Sequence, residues 1–170
     1  MQQLETAEAQ LVVFELADEV YGVDIARVDE VIRMQEITRI PRAPDFVEGV
    51  TNLRGKVIPV VDLRKRFGLA VSDIKASSRI VVVYIGSHTI GLIVDGVSEV
   101  IRVTAANIEP PSAVVTGVDS AYLRGVAKVG ERLVILLDLD YVLGTVERLM
   151  TATSQSPNGK VAPARAGVAA

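Results

Sequence analysis

Apolar residues along the chain fall into short runs broken by turn-forming residues, and the runs repeat. The segment LVVFELADEVYG, from Leu11 to Gly22, lies on IVVVYIGSHTIG, from Ile80 to Gly91, at an offset of 69 residues. Without a gap, VDEVIR (Val28 to Arg33) then lies on VSEVIR (Val97 to Arg102), and Pro41 lies on Pro110. Beyond that point the offset is 76, and FVEGVTNLRGKVIPVVDL (Phe46 to Leu63) lies on YLRGVAKVGERLVILLDL (Tyr122 to Leu139). The second copy therefore carries seven more residues between Pro110 and Tyr122. Self-similarity at one long period marks a fold built from equivalent units.

Each copy reads as strand, tight turn, strand, a short third segment, a proline-marked loop and a hairpin. Turns are expected where apolar runs break: at Ala17-Asp18-Glu19 and Gly86-Ser87-His88, and at Arg54-Gly55 and Gly130-Glu131. Each copy ends with an Asp, Asp62 or Asp138, ahead of a helix-like stretch, LRKRFG or LDYVLG. A carboxylate there caps the free N–H groups of a helix start, and the Gly is a natural stop. About five strands per copy predicts an all-β fold: two five-stranded barrels of SH3-like or OB-like type, each followed by a short helix. The run Ile80-Val81-Val82-Val83 does not alternate, so that strand is expected to be covered on both faces and the barrels to share a core. Pro59 lacks a backbone donor and is expected at an edge or bulge. The resulting organisation is a flexible start over residues 1–9, copies over about 10–70 and 79–147 with possible strand exchange, and a disordered tail over 150–170.

Composition narrows the function more than the fold. A chain of 170 residues that is 49% apolar can bury one ordinary core or two small packed ones. Its 29 valines and 13 isoleucines favour strands. The net charge is −3, Trp is absent, and Phe and Tyr number only 3 and 4, which argues against a nucleic-acid surface. With no Cys and one His, disulfides, thiolate zinc sites, iron–sulfur clusters, cysteine nucleophiles and multi-histidine metal sites are excluded; no cofactor or metal is expected. The polar, acidic start MQQLETAEAQ and the lack of an apolar run near the roughly 18 residues of a membrane span predict a cytoplasmic protein.

Candidate chemistry is sparse, and no catalytic residue is assigned. His88 is expected to be a solvated turn residue. Asp138 and Asp140 can be drawn as a carboxylate pair, yet Asp138 has the repeat-mate Asp62, and capping explains both. Arg64-Lys65-Arg66 reads as a solvated face. Binding is the better default. Val28, Val31 and Ile32 are matched by Val97, Val100 and Ile101, with Glu30/Arg33 and Glu99/Arg102 beside them. These positions suit either barrel core or an apolar groove for an amphipathic helix. Arg54 lies in a turn, where packing does not explain it and an interface anchor would.

The segments GVTNLRGKVIPVVDLRKRF (Gly49 to Phe67), YGVDIARVDEV near the start and GLIVDGVSEV (Gly91 to Val100) jointly resemble the CheW family of bacterial chemotaxis coupling proteins, over about residues 10 to 147. The resemblance implies a two-barrel scaffold without catalysis, linking methyl-accepting receptors to the histidine kinase CheA. It places Val28, Glu30, Ile32, Gly49, Asn52, Arg54 and Val100 against the receptor's cytoplasmic hairpin tip. It places Met34, Ile37, Ile40 and Pro44 against the kinase regulatory domain, and a ring-forming contact in the loop from Glu109 to Ser120, with Glu109, Val114 and Val115. The free protein is expected to be a cytoplasmic monomer recruited to receptor arrays, binding no nucleic acid and inserting in no membrane. Rival readings are a CheW-like adaptor for a related pathway such as twitching motility, an OB-like nucleic-acid binder, and a hydrolase using Asp138 and Asp140.

Overall fold

The fold follows from how each strand divides its side chains between two faces. A computed structural model describes residues 8–111 and 119–155, the side chains of 151–155 excepted. Eleven strands are named among the described residues: β1 (Glu8–Leu16), β2 (Glu19–Asp24), β3 (Val28–Arg33), β4 (Val47–Leu53), β5 (Lys56–Asp62), β6 (Arg79–Ile85), β7 (His88–Val94), β8 (Gly96–Thr104), β9 (Ile108–Glu109), β10 (Leu123–Val129) and β11 (Arg132–Leu137). Two α-helices, α1 (Leu63–Arg66) and α2 (Leu139–Gln155), follow β5 and β11.

The strands form a six-stranded sheet ordered β8-β1-β2-β11-β10-β9 and a five-stranded sheet ordered β3-β6-β7-β5-β4. Replacing every strand of one sheet by its repeat-mate reproduces the other. Even the two-residue β9, beside β10, has a counterpart in the isolated Thr38–Val50 bridge beside β4. Each sheet takes its first hairpin from one copy and its remaining strands from the other. The hairpins are joined to their hosts by the parallel pairs β11–β2 and β5–β7. The correspondence amounts to a pseudo-twofold relation in which neither copy completes a barrel alone.

Three cores result. Leu11 and Val13 of β1 point into the six-stranded barrel with Ile101, Val103, Val134 and Leu136. Ile80 and Val82 of β6 point into the five-stranded barrel with Ile58, Val60 and Ile93. The intervening residues, Val12, Phe14 and Leu16 on β1 and Val81, Val83 and Ile85 on β6, meet in the shared core between the sheets. All four residues of the run Ile80-Val81-Val82-Val83 are fully buried, because one face fills a barrel and the other fills the shared core. Each such side chain contributes roughly 1.5–3 kcal/mol by leaving water.

Turn chemistry matches the strand ends. Arg54 (φ 52) and Gly55 (φ 85) both adopt the left-handed region, as a two-residue hairpin turn of the mirror-image type requires. His88 is not in its turn: it is the half-buried first residue of β7, because the tight turn needs only Gly86 and Ser87. Pro59 is in an interior strand, paired with Val50 of β4, but the parallel pairing to β7 starts only at Val60. On that side the strand is still an edge, so no donor is missed.

The two helix stops differ. Gly68 (φ 71) ends α1, donating to the Lys65 carbonyl. Gly144 does not end α2, which runs on to Gln155. Leu139, Val142, Leu143 and Val146 fall at helical spacing on the shared core, and that apolar face carries the helix through a glycine that costs about 1 kcal/mol. Residues 150–155 thus belong to a helix rather than the expected tail; residues 1–7 and 156–170 lie outside the described residues.

Candidate docking surfaces

Arg54 and Glu30 come together although 24 residues separate them. The strand β3 and the β4–β5 turn stand at opposite ends of the sheet order, and curling of the sheet brings them face to face. Arg54 Nη1 donates to Glu30 Oε1 at 3.0 Å, and its Nη2 bonds the other carboxylate oxygen. The carboxylate raises the Arg54 pKa above its ordinary value, chiefly through these hydrogen bonds. Asn52 fixes the turn itself: its Oδ1 accepts from Gly55 N at 2.9 Å. The Arg54 side chain remains 68% exposed, so the pair presents a polar handle on the turn.

The other receptor-facing candidates divide. Val28 is half-buried against the shared core, and Ile32 is half-buried against the five-stranded barrel's core. Val100 lies on the other sheet, on edge strand β8, 53% exposed. Gly49 is not a surface residue. A Cβ built there would lie 2.0 Å from the Thr38 carbonyl oxygen, and its φ is +149. A Cβ built at Gly125, its repeat-mate, would likewise lie 2.7 Å from the Glu109 carbonyl oxygen. Both glycines let the segment after the third strand close onto the hairpin, so Gly49 acts through backbone position.

The kinase-facing candidates divide too. Met34 and Ile37 pack inward on the core of the five-stranded barrel, and Pro44 is half-buried, its carbonyl accepting from Val47 N. Ile40 is 42% exposed and lines an apolar cleft of about 410 Å³ with Pro41, Val57, His88 and Val146. In the ring-contact loop, Glu109 is half-buried and 3.3 Å from Lys128. Val114 and Val115 lie outside the described residues.

The basic cluster is not a solvated face. Arg64 is 2% exposed, its Nε and Nη2 on Asp62 at 3.1 and 3.0 Å and its Nη1 on Asp95 at 3.1 Å and the Ser72 carbonyl at 2.9 Å. Asp95 also accepts from Ala17 N at 2.7 Å, so the triad ties the β1–β2 turn of one sheet to β5 and β7 of the other. Arg66 lies over the rings of Phe46 and Tyr122, 4.7 and 4.9 Å from their centroids, and donates to the Val142 carbonyl. Lys65 pairs with Glu48. Sequence reading missed these roles because an Arg two residues past a capping Asp looks the same in or out of solvent; only the distant Asp95 decides it.

Carboxylate chemistry finds no support in the geometry. Asp138 Oδ1 accepts from Tyr141 N at 3.1 Å, a helix cap, while Asp140 pairs with Arg27 at 2.8 Å. Among the described residues no three His, Asp or Glu side chains are grouped to hold a metal ion, and no helix is long and apolar enough to cross a membrane. Fold and surface together define a docking module of two interlocked small barrels.

Comparison with known proteins supplies the family. Residues 10–147 match the family of CheW-like domains, and the chain belongs to it. It is 37% identical to the chemotaxis protein CheW of Klebsiella aerogenes over 143 residues, 84% of this chain and 86% of that one. Protein FrzA of Myxococcus xanthus is 32% identical over 149 residues, 85% and 91% of the two chains. The crystal structure of the scaffolding protein TtCheW from Thermoanaerobacter tengcongensis superposes with a TM-score of 0.75 at 45% identity, covering 81% of this chain and 88% of that one.

Proposed function

We propose that this protein is a non-catalytic adaptor that couples methyl-accepting chemotaxis receptors to the histidine kinase CheA. The observation that carries the reading is the Glu30–Arg54 pair, an exposed charged anchor held on a strained turn where neither packing nor catalysis accounts for it. Membership of the CheW-like family supports it. The receptor hairpin tip would meet Glu30, Asn52, Arg54, Val28 and Val100. The kinase regulatory domain would use the cleft beside Ile40, and Met34, Ile37, Ile32 and Gly49 would hold those surfaces in place from within. The free protein is read as a cytoplasmic monomer that joins receptor arrays by docking. A receptor shift then reaches the kinase as a coupling free energy, with no reaction in this chain. The similarity to FrzA is compatible with a second reading, the same module serving a related receptor–kinase pathway.

Calorimetric titration with a CheA regulatory domain and with a receptor cytoplasmic hairpin from the same cell tests the proposal. Both should bind saturably, and Arg54→Asp should weaken only the receptor. The substitution leaves the fold intact, since the pair is exposed and Asp tolerates φ near 52. Absence of binding to both partners would move the function to another kinase; normal receptor binding by Arg54→Asp would remove that residue from the site.

A further inference from the structure

Three large, exposed apolar side chains stand around one opening. Ile40 is 42% exposed, Val57 61% and Leu149 46%, and all three line the cleft of about 410 Å³ together with Val50, Pro59 and Val146. Two walls come from the first copy, the segment from Ile40 to Val47 and the β4–β5 hairpin, and the third is α2. On α2 one apolar stripe serves both sites. Leu139, Val142, Leu143 and Val146 are buried in the shared core, and Leu149 and Met150 carry the same spacing on to the cleft.

Residues 156–170 follow α2 directly, and their sequence says where they can go. Ser156-Pro157-Asn158-Gly159 is a turn signature: Pro presets φ at the second turn position, and Asn and Gly suit the next two. From Met150 to its end at Gln155 the helix advances roughly 8 Å, at about 1.5 Å per residue. After a reversal, an extended chain at about 3 Å per residue recovers that length in about three residues, which brings Val161 level with Met150.

The segment that arrives there matches the opening. Lys160-Val161-Ala162-Pro163-Ala164-Arg165 sets four small apolar residues between two cations, and residues 156–170 contain no Asp or Glu. The cleft is apolar inside with carboxylates beside it: exposed Asp45 in the Ile40–Val47 wall, and Glu147, which follows Val146 and lies against Gly86 of the β6–β7 turn. Arg42 and His88 also line the cleft, and neither is an anion, so the two cations belong at the rim.

We propose that residues 160–165 dock back into this cleft in the free protein and give way when the kinase regulatory domain binds there. The second half rests on the reading that the kinase uses the cleft beside Ile40. A segment of low hydrophobicity gains structure on a surface rather than alone. Tethering holds it at an effective concentration on the order of millimolar, so a contact with a Kd of about 0.2 mM keeps the cleft mostly filled. Apparent kinase affinity then falls by the fraction of clefts left open, about fivefold.

The test compares the full chain, a chain stopped after Gln155, and the full-length variant Val161→Asp/Ala164→Asp, with thermal melts to verify folding. Amide chemical shifts of Ile40, Arg42, Val57 and His88 should change in the stopped chain, and the double variant should reproduce the change. Both should bind the kinase regulatory domain about fivefold more tightly than the full chain. Cleft amides that do not move, with normal kinase binding by all three forms, would overturn the proposal and leave the adaptor reading intact. Amides that move with no gain in kinase affinity would overturn the displacement. Shifts that depend on protein concentration would give the cleft to a second copy of the chain and overturn it as well. Failure of every form to bind the kinase domain would defeat the kinase reading and the displacement together.

Discussion

Replacing Arg64 by Met tests whether the buried triad holds the two sheets together. Arg64 and its partners Asp62 and Asp95 have side chains only 2%, 4% and 7% exposed. Met fills a similar volume, so the loss is electrostatic rather than a cavity. Two buried carboxylates remain without their cation, and breaking a buried pair from one side costs about 3–5 kcal/mol. The low end applies here, because Asp62 keeps its bond from residue 64 N and Asp95 its bond from Ala17 N. At roughly 3 °C per kcal/mol for a chain of this size, the melting temperature should fall by about 10 °C.

Urea unfolding gives the sharper readout, together with a triple variant, Asp62→Asn/Arg64→Met/Asp95→Asn. Asn caps a helix about as well as Asp and carries no charge, so the triple variant should regain at least about half of the single variant's loss. A loss under about 1 kcal/mol for Arg64→Met, or a triple variant no more stable than the single one, would refute the view that uncompensated charge dominates. A stability change with unaltered slope would show that the unfolded state is not responsible.

Other perturbations separate backbone from side-chain effects. Gly49→Ala should cost about 2–3 kcal/mol in urea unfolding, since its Cβ meets the Thr38 carbonyl and its φ is +149, whereas Gly55→Ala, with φ +85 and open space, should cost only about 1 kcal/mol. Asp138→Ala should cost about 1 kcal/mol through the lost cap, read from the same curves. Burial, then the hydrogen bond to Glu19, raises the Tyr21 pKa well above its ordinary 10.0. A group whose folded pKa is raised contributes stability that is fully present below its unfolded pKa and is lost above it, so the urea midpoint should fall as pH rises past about 10 and fall less in Tyr21→Phe.

What the sequence revealed and what it hid have a common physical cause. Period-two alternation and turn residues are local, so the hairpins at Ala17-Asp18, Arg54-Gly55 and Gly130-Glu131 were readable, as was the doubly buried strand at Ile80. The length of α2 was not, because a glycine signals a stop only when no apolar face beyond it binds the helix down, and that face exists only once the shared core is assembled. Arg54 was legible as an anchor because a turn excludes packing. Its link to Glu30 was not, since it depends on how far the sheet curls. The roles of Arg64 and Arg66 were hidden because their partners Asp95 and Tyr122 belong to the other copy.

The exchange of hairpins bears directly on how such a module transmits force. If each copy closed its own barrel, the two would meet across a surface patch, and relative motion would be the default expectation. Here β2 pairs with β11 and β7 with β5, so separating the copies would break main-chain ladders in both sheets and expose the shared core. The Asp62–Arg64–Asp95 triad and the Arg66 ring stack add ties between elements of different copies. Glu30, Arg54 and Ile40 all belong to the first copy, while His88 and Val146 of the second also line the cleft beside Ile40, so the charged turn and that cleft sit on one interlocked unit. A rigid adaptor conveys a receptor's change of state as a change of position, and the energy of selecting a kinase arrangement then comes from the partners' own differential contacts.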